Sequence, residues 1–450
     1  MARISLCMIA KNEERFLGGA LESVRDAVDE MIVVDTGSND RTVAIAEEHG
    51  ARVLHTPWHD DFAAARNVGL AAASGTHVLA LDADERLAPS AARALASAAA
   101  DTSIWIGMLP LHDADALDAR AEDVIAGRAR IGEPVWLPRF FRRDERLRFR
   151  RRVHETIVRD LASWFGRQGE RIAAVEAPIV HFGEVKVLRA ELGRSARNRR
   201  LLERALAEDP ADGDLAGYLA LELVRAGDRA RAHTVARASF EPFLAALDRA
   251  ESQTLRPSPI QLASVLATLT LEDGDARRAL DVVRSAQQRC AEPHPNLRFL
   301  EGAALEALDE LTEAERCYRD CIAMHGRRQT IPVNPGATSA APRLRLANVL
   351  VRSDHPRDAL ALLEGLAGKY HVPAALMRAE ALLALGDPAR ALSVLAPLMG
   401  TTAPPPDLFA LAAWASTLLG QREDSLAHAA KSAAPERWVE PRRRIHATRA

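Results

Sequence analysis

The chain has 450 residues, 48% of them hydrophobic and 27% charged; it is too long for one compact core, and disordered and collagen-like compositions are excluded. Lys plus Arg number 59 against 62 Asp plus Glu, and a formal charge of −3 gives no global reason to expect nucleic acid or an anionic membrane as partner. Four cysteines, Cys7, Cys290, Cys317 and Cys321, are too few and too unevenly placed for a disulfide framework and suit a reducing compartment; Cys317 and Cys321, one helical turn apart without further ligands at metal spacing, read as small buried side chains.

In chain order, the apolar run Ile4–Ala10 follows Arg3 but is too short for a signal peptide, and Lys11, Asn12, Glu13 and Glu14 close it where a cleavage site would begin. No later stretch approaches the ~20 apolar residues of a membrane span. A cytoplasmic protein is expected. Up to about residue 185, short β-rich runs (Ile4–Ala10, Glu30–Asp35, Ala51–Thr56, His77–Asp82) alternate with helical ones near Glu14–Ala27, Asp40–His49 and Asp61–Ala73. That alternation predicts a largely parallel sheet covered by helices. Functional side chains in such sheets gather at the carboxyl ends of strands, where strand order reverses. Those ends carry Lys11-Asn12-Glu13, Asp35 and Asp82-Ala83-Asp84-Glu85.

Beyond about Val187 the strand signals stop, and Ala/Leu-rich helix is punctuated at intervals near 34 residues. Gly227-Asp228 precedes Ala232, Gly274-Asp275 precedes Ala279, Asp309-Glu310 precedes Ala314, Ser353-Asp354 precedes Ala359, Gly386-Asp387 precedes Ala391, and Gly420-Gln421 precedes Ser425. Each unit reads as helix, short turn and second helix, with a small residue for close packing. The pattern resembles tetratricopeptide repeats, though with few aromatics, and such units stack into a solenoid. The expected division is 1–186 for the α/β domain, 187–434 for the repeats with an inserted loop at 326–342, and a basic, solvated tail at 435–450.

The chemistry is concentrated in Asp82-Ala83-Asp84, two carboxylates one residue apart at a strand terminus, placed to share a hard divalent cation directly or through water. Alone the triplet is equally an acidic turn. It stands in series with Ser5-Leu6-Cys7-Met8-Ile9-Ala10-Lys11-Asn12-Glu13-Glu14, with Ile32-Val33-Val34-Asp35-Thr36-Gly37-Ser38-Asn39-Asp40-Arg41-Thr42, and with Trp58 and Asp61-Phe62-Ala63-Ala64-Ala65-Arg66-Asn67. Pro138-Arg139-Phe140-Phe141-Arg142, Val153-His154-Glu155 and Ile179-Val180-His181-Phe182-Gly183 follow.

In order and spacing, residues 3 to 185 resemble family 2 glycosyltransferases. The fold class this implies is an α/β GT-A nucleotide-binding domain followed by an all-α tetratricopeptide-like solenoid. The joining of the two resembles the group that includes sublancin-type peptide S-glycosyltransferases. The resemblance implies a nucleotide-sugar donor, most simply a uridine diphosphate sugar, and a divalent metal, Mn2+ or Mg2+. Asp35 at a strand end suits a nucleotide base's imide N–H, although a capping Asp would look the same. Ala10, Asn12 and Glu13 line the same crevice for base or ribose. Arg66, with Asn67 beside it, would contact phosphate or sugar unless it forms a surface ion pair. Asp82, next to Ala83, would meet the ribose or a metal-bound water, Asp84 would ligate the cation, and His181 resembles the histidine that completes the metal and diphosphate site in many GT-A enzymes. Glu155, with His154, is the expected catalytic base, taking the acceptor's proton as the acceptor attacks opposite the leaving diphosphate. Most of the basic run from Arg139 to Arg152 reads as solvated, because Asp144 and Glu145 interrupt it and strand alternation turns half outward.

The expected function is therefore metal-dependent, inverting transfer of a hexose-type sugar to an acceptor, preferably a peptide or protein presented by the repeats; nucleic acid is not an expected partner. Two other readings are a non-catalytic repeat adaptor with a relic GT-A domain and a cell-envelope polysaccharide or lipid glycosyltransferase. The repeats could alternatively join two protomers in a homodimer. Asp113-Ala114-Asp115-Ala116-Leu117-Asp118 carries no interpretable motif.

Overall fold

The structure, a computed structural model, describes residues 2–157, 170–185, 194–249, 258–334, 336–367, 370–401, 404–405 and 407–432. It contains two compact units: Met1–Leu297 with Gly326–Pro335, and Arg298–His325 with Gly336–Ala450. The expected tail at 435–450 lies outside the described residues. The last described strand ends at His181 and the next described helix begins at Arg194. The compact units nevertheless divide much later, so the first helices of the repeat region belong to the same unit as the sheet.

The sheet begins with β1 (Ile4–Ala10), β2 (Glu30–Asp35), β3 (Arg52–His55) and β4 (His77–Ala80), parallel in the order β3-β2-β1-β4. β1 is buried on both faces, which is why its sequence is a continuous apolar run without alternation. Leu6 and Met8 face a core shared with Leu17 and Leu21 of α1 (Leu17–Val24), while Cys7 faces the opposite core with Leu70 of α3 (Phe62–Ala72). Helix α2 (Thr42–Glu48) lies between β2 and β3 in sequence, and Asp61 caps α3 by accepting from Ala64 N–H at 2.9 Å.

The rest of the sheet is mixed: β5 (Glu85–Leu87), β6 (Ile104–Asp113), β7 (Val135–Arg142), β8 (Arg171–Ala174) and β9 (Ile179–His181), with α4 (Ala91–Ala100) and α5 (Ala121–Ile125) inserted. β7 runs antiparallel beside β4, β6 follows, and β9 then joins β6 to β5, with β8 also pairing with β6. The longest described strand of the sheet, β6, ends at Asp113, the first residue of the stretch without an interpretable motif. Gln329, in the expected inserted loop, meets the start of β7: its C=O accepts from Trp136 N–H at 2.8 Å.

The helical region opens with α6 (Arg194–Glu208). Six hairpins follow among the described residues: α7 (Gly213–Arg225) with α8 (Arg229–Arg249), α9 (Ile260–Glu272) with α10 (Ala276–Gln287), α11 (Pro295–Ala307) with α12 (Leu311–Ala323), α13 (Ala340–Arg352) with α14 (Pro356–Leu362), α15 (His371–Ala384) with α16 (Pro388–Met399), and α17 (Leu408–Leu418) with α18 (Arg422–Lys431). Every turn falls at a predicted punctuation point and contains one left-handed residue: Gly227, Gly274, Gly386 and Gly420, but Asp309 and Asp354 where the sequence lacks glycine. The small residues at the contact positions, Ala232, Ala279, Ala314, Ala359 and Ala391, are fully buried. Cys317 and Cys321 are buried thiols on α12, as their spacing suggested. No described helix is long and apolar enough to cross a membrane.

Candidate active site

A cleft of about 450 Å3 opens where the carboxyl ends of β1 and β4 lie side by side. Two interlocked turns form one wall. Asn12 takes a left-handed φ of 57°, which Asn tolerates. Its N–H donates to Ser38 Oγ at 2.9 Å, its Oδ1 accepts from Asn39 N–H at 2.9 Å, and Glu13 N–H donates to Thr42 Oγ1 at 2.7 Å. Ala10, Lys11, Asn12, Glu13 and Thr36 thereby face the cleft.

Asp35 differs from expectation. It is buried, it is not among the cleft-lining residues, and its carboxylate accepts from Gly37 and Ser38 N–H at 3.1 Å, with His55 Nδ1 at 3.4 Å. Burial alone would raise its pKa, but these hydrogen bonds hold the carboxyl below the usual range. The carboxylate ties the turn that supports Asn12, as a capping Asp does.

The floor is a chain of alternating charges. Arg66, buried on α3, donates through Nη2 to Asp82 Oδ1 and through Nε to Glu155 Oε1, both at 2.5 Å. Arg139 of β7 donates through Nη2 to Asp82 Oδ2 at 3.0 Å and to Glu85 Oε1 at 2.5 Å. Three carboxylates and two guanidiniums leave one surplus negative charge, and burial pushes the innermost acid, Glu85, up to about 7. The Asp82 carboxyl is held far below its usual range: burial opposes its charge, and the two arginines prevail. Both Asp82 oxygens accept from arginines, and the carboxylate, expected to meet the ribose, a metal-bound water or the cation, lines the cleft as part of this ion-pair network. Arg139, expected in a largely solvated run, is instead a half-buried member of the network. The Asn67 side-chain amide accepts from Phe149 N–H at 2.9 Å and donates to Phe149 C=O at 3.0 Å, so it fastens backbone and is not among the cleft-lining residues.

Asp84 and His181 lie deeper. Adjacent strands β5 and β9 bring them together, with His181 Nε2 3.8 Å from Asp84 Oδ1 and His181 Nδ1 2.7 Å from Asp113 Oδ1. Burial disfavours charge on this imidazole, but the Asp113 hydrogen bond and the charges of Asp84, Asp113 and Glu85 lift its pKa to about 9. Among the described residues no group of three or more His, Cys, Asp and Glu is arranged to hold a metal. The pair Asp84 and His181 nonetheless fits a divalent cation as donors, with the cation taking the place of the Nε2 proton that the same carboxylates hold in its absence. One is a hard oxygen, the other a nitrogen whose second ring atom is oriented by a carboxylate, the usual support for a metal-binding histidine.

Glu155 and His154 sit on the loop 150–157, closed by reciprocal hydrogen bonds between the backbones of Arg150 and Thr156. Arg66 fixes the Glu155 carboxylate at the cleft. The His154 ring stacks face to face on Tyr218 of α7, centroids 3.6 Å apart. Although the residue is open to the cleft, desolvation of the ring together with Arg151 and Arg225 lowers its pKa to about 4, so it is a neutral, weakly basic imidazole near pH 7.

The sequence-predicted residues Ala10, Asn12, Glu13, Arg66, Asp82, Ala83, Asp84, His154, Glu155 and His181 therefore meet in one cleft, while Asp35 and Asn67 support it from outside. Sequence reasoning missed Glu85, Arg139 and Asp113, and also Arg197 and Asn198, which reach the cleft from α6. Glu85 stood in the acidic run, the one signal that could have drawn attention to it.

Comparison with known proteins agrees with this construction. Residues 5–156 match the model of the family described as Glycosyl transferase family 2. Over 296 residues the chain is 38% identical to a TPR repeat-containing protein of Synechococcus elongatus, covering 64% of this chain and 66% of that one. Over 87 residues it is 41% identical to an uncharacterized glycosyltransferase of Rickettsia felis, covering 19% of this chain and 30% of the relative. The chain thus spans just under two thirds of the first relative and under a third of the second. Among solved structures, a tetratricopeptide repeat protein from Parabacteroides merdae is similar at 15% identity and a TM-score of 0.40, over 56% of this chain and 91% of that one. Glucosyl-3-phosphoglycerate synthase from Mycobacterium tuberculosis is similar at 23% identity and a TM-score of 0.31, over 45% and 80%. Residues 5–156 thus form a domain that matches the family 2 glycosyltransferase model, and a series of helical hairpins follows it.

Proposed function

We propose that the whole chain is an inverting glycosyltransferase that moves a sugar from a nucleoside diphosphate donor, a uridine diphosphate sugar in the simplest case, to a peptide or protein acceptor. The observation that carries this reading is the convergence of Asp84, His181, Arg66 and Glu155 on one cleft beside the β1 and β4 termini. Its volume is in the range that encloses a small ligand. Asp84 and His181 are the residues that would hold a divalent cation, Mn2+ or Mg2+, which when bound supplies positive charge to a departing diphosphate. Arg66 Nη1 is buried without a hydrogen-bond partner, a donor left over for a phosphate or sugar oxygen. Glu155 is the carboxylate placed to accept the acceptor's proton, and Arg66 orients it. Asn12, Lys11 and Glu13 offer polar groups to the nucleoside.

The peptide acceptor is supported by the hairpins, whose type of surface suits an extended chain, and by the resemblance to sublancin-type peptide S-glycosyltransferases. The test is a panel of nucleotide sugars scored by thermal shift and donor hydrolysis, with and without divalent metal. One donor should raise the melting temperature by mass action in a metal-dependent way. No response to any donor would support the adaptor reading instead.

A further inference from the structure

The loop that carries Glu155 is held from two directions, and one of them lies outside the glycosyltransferase domain. Arg151 and His154 both have left-handed backbones, with φ of 76° and 51°. Two such non-glycine residues within four positions persist only where surrounding contacts over-determine them. On the sheet side, Phe62 N–H donates to Arg152 C=O at 2.9 Å and Arg66 holds Glu155. On the helical side, the half-buried Arg151 donates to both Asp212 and Asp214 at 2.9 Å, and His154 stacks on Tyr218 with only 7° between ring planes. The two strained residues are the ones that α7 and its cap grip.

We infer that Tyr218 and Asp214 of α7 are positioning residues for Glu155, so that the first helical hairpin is a working part of the active site. The inference rests on the reading of Glu155 as the base. Its physical content is a division of labour: Arg66 orients the carboxylate, while α7 holds the backbone in the conformation that delivers it. Without the helical grip the loop would relax toward ordinary φ values and carry Glu155 away from Arg66. Asp212 also caps α7, accepting from Asp214 and Leu215 N–H, so its replacement would confound positioning with helix stability. Tyr218 and Asp214 are the cleaner probes.

The experiment uses the full chain and three variants, Tyr218→Ala, Tyr218→Phe and Asp214→Asn, with two readouts. Hydrogen exchange at the Arg150 and Thr156 amides reports loop opening whether or not the protein is a transferase. Tyr218→Ala should accelerate it by roughly tenfold while exchange in β1 stays unchanged. Metal-supported donor hydrolysis should lose about tenfold to a hundredfold in kcat with little change in donor KM, as expected of misplacement and not of lost binding. Tyr218→Phe, which keeps the ring, should recover most of both effects, and Asp214→Asn should fall between. Unchanged exchange in Tyr218→Ala would overturn the inference, and so would faster exchange with wild-type kcat. A wild-type chain that hydrolyses no donor, yet shows the expected exchange difference, would count against the transferase reading alone and leave the bracing established.

Discussion

Arg66 holds Glu155 across 89 residues of sequence, its Nε 2.5 Å from Glu155 Oε1, and with its other arm holds Asp82. One buried guanidinium therefore fixes the spacing between a strand terminus and the loop of the expected base. Replacing Arg66 with Ala would leave two carboxylates without their shared cation. The expected loss of stability is about 3 kcal/mol, at the low end for breaking a buried pair because the Asp82 side chain is 33% exposed to water. Arg66→Lys should restore little, since an ammonium cannot present the same two-armed geometry. Urea denaturation checks both; a midpoint in Arg66→Ala equal to wild type would show that the network does not support the fold.

Asp84 and His181 should behave as one functional pair. Asp84→Ala is expected to lower metal-supported turnover by more than about a hundredfold, comparable to about 3 kcal/mol of lost charge stabilisation. His181→Ala should mainly weaken the apparent metal affinity. Asp35→Asn, by contrast, should act through the turn it ties: a modest fall in melting temperature with donor binding largely kept. Metal titrations of turnover across the three variants separate these outcomes, and equal loss of donor binding in all three would contradict the assignment.

Acid should destabilise the protein well above the carboxylate range. His77, His112 and His294 are buried, and desolvation lowers each to about 4. His112 Nδ1 also lies 3.1 Å from Arg130 Nη1, an arrangement that needs an unprotonated acceptor. The unfolded chain takes up these protons near pH 6.5 and the folded chain does not. Their contribution is therefore present above pH 6.5 and lost as pH falls toward 4, by up to about 3 kcal/mol for each histidine. Unfolding free energy measured at several pH values should fall through this window, and His77→Phe should remove about one proton from the slope. A flat profile between pH 6.5 and 4 would contradict the assigned neutral histidines.

The hairpin turns allow a conformational test. Gly274 and Gly386 have φ of 85° and 77°, and a Cβ at either would meet nothing within 4 Å. Substitution by Ala should then cost only backbone strain, about 1–2 kcal/mol, and Asn, which tolerates this region, should cost less. Equal stabilities of the Gly, Asn and Ala forms by chemical denaturation would show that these turns are not held left-handed.

Local features were legible in the sequence because local chemistry decides them. β1 and β2 have the bounds the apolar runs predicted, and all six hairpin turns fall at the predicted dipeptides. Asp309 and Asp354 take the left-handed role without glycine, so position in the period outweighed residue type. What escaped was long-range pairing. Arg139 lies 57 residues from Asp82 and looked like one charge in a solvated run until β7 placed it beside β4. Asp113 had no motif because its partner, His181, is 68 residues away and meets it only through the pairing of β6 with β9. Asp35 and Asn67 stand at motif positions, but backbone groups claim their polar atoms, and spacing along a chain does not reveal which way a side chain turns.

Calorimetric titration of uridine diphosphate into the full chain, with and without Mn2+, in the wild type and in Asp84→Asn, asks whether the cleft holds a nucleoside diphosphate through a cation on Asp84. Saturable binding by the wild type that strengthens at least tenfold with Mn2+, and loses that gain in Asp84→Asn, is the predicted result. Binding that ignores both the metal and the substitution, or no binding at all, would contradict a cleft built to hold a nucleoside diphosphate through Asp84.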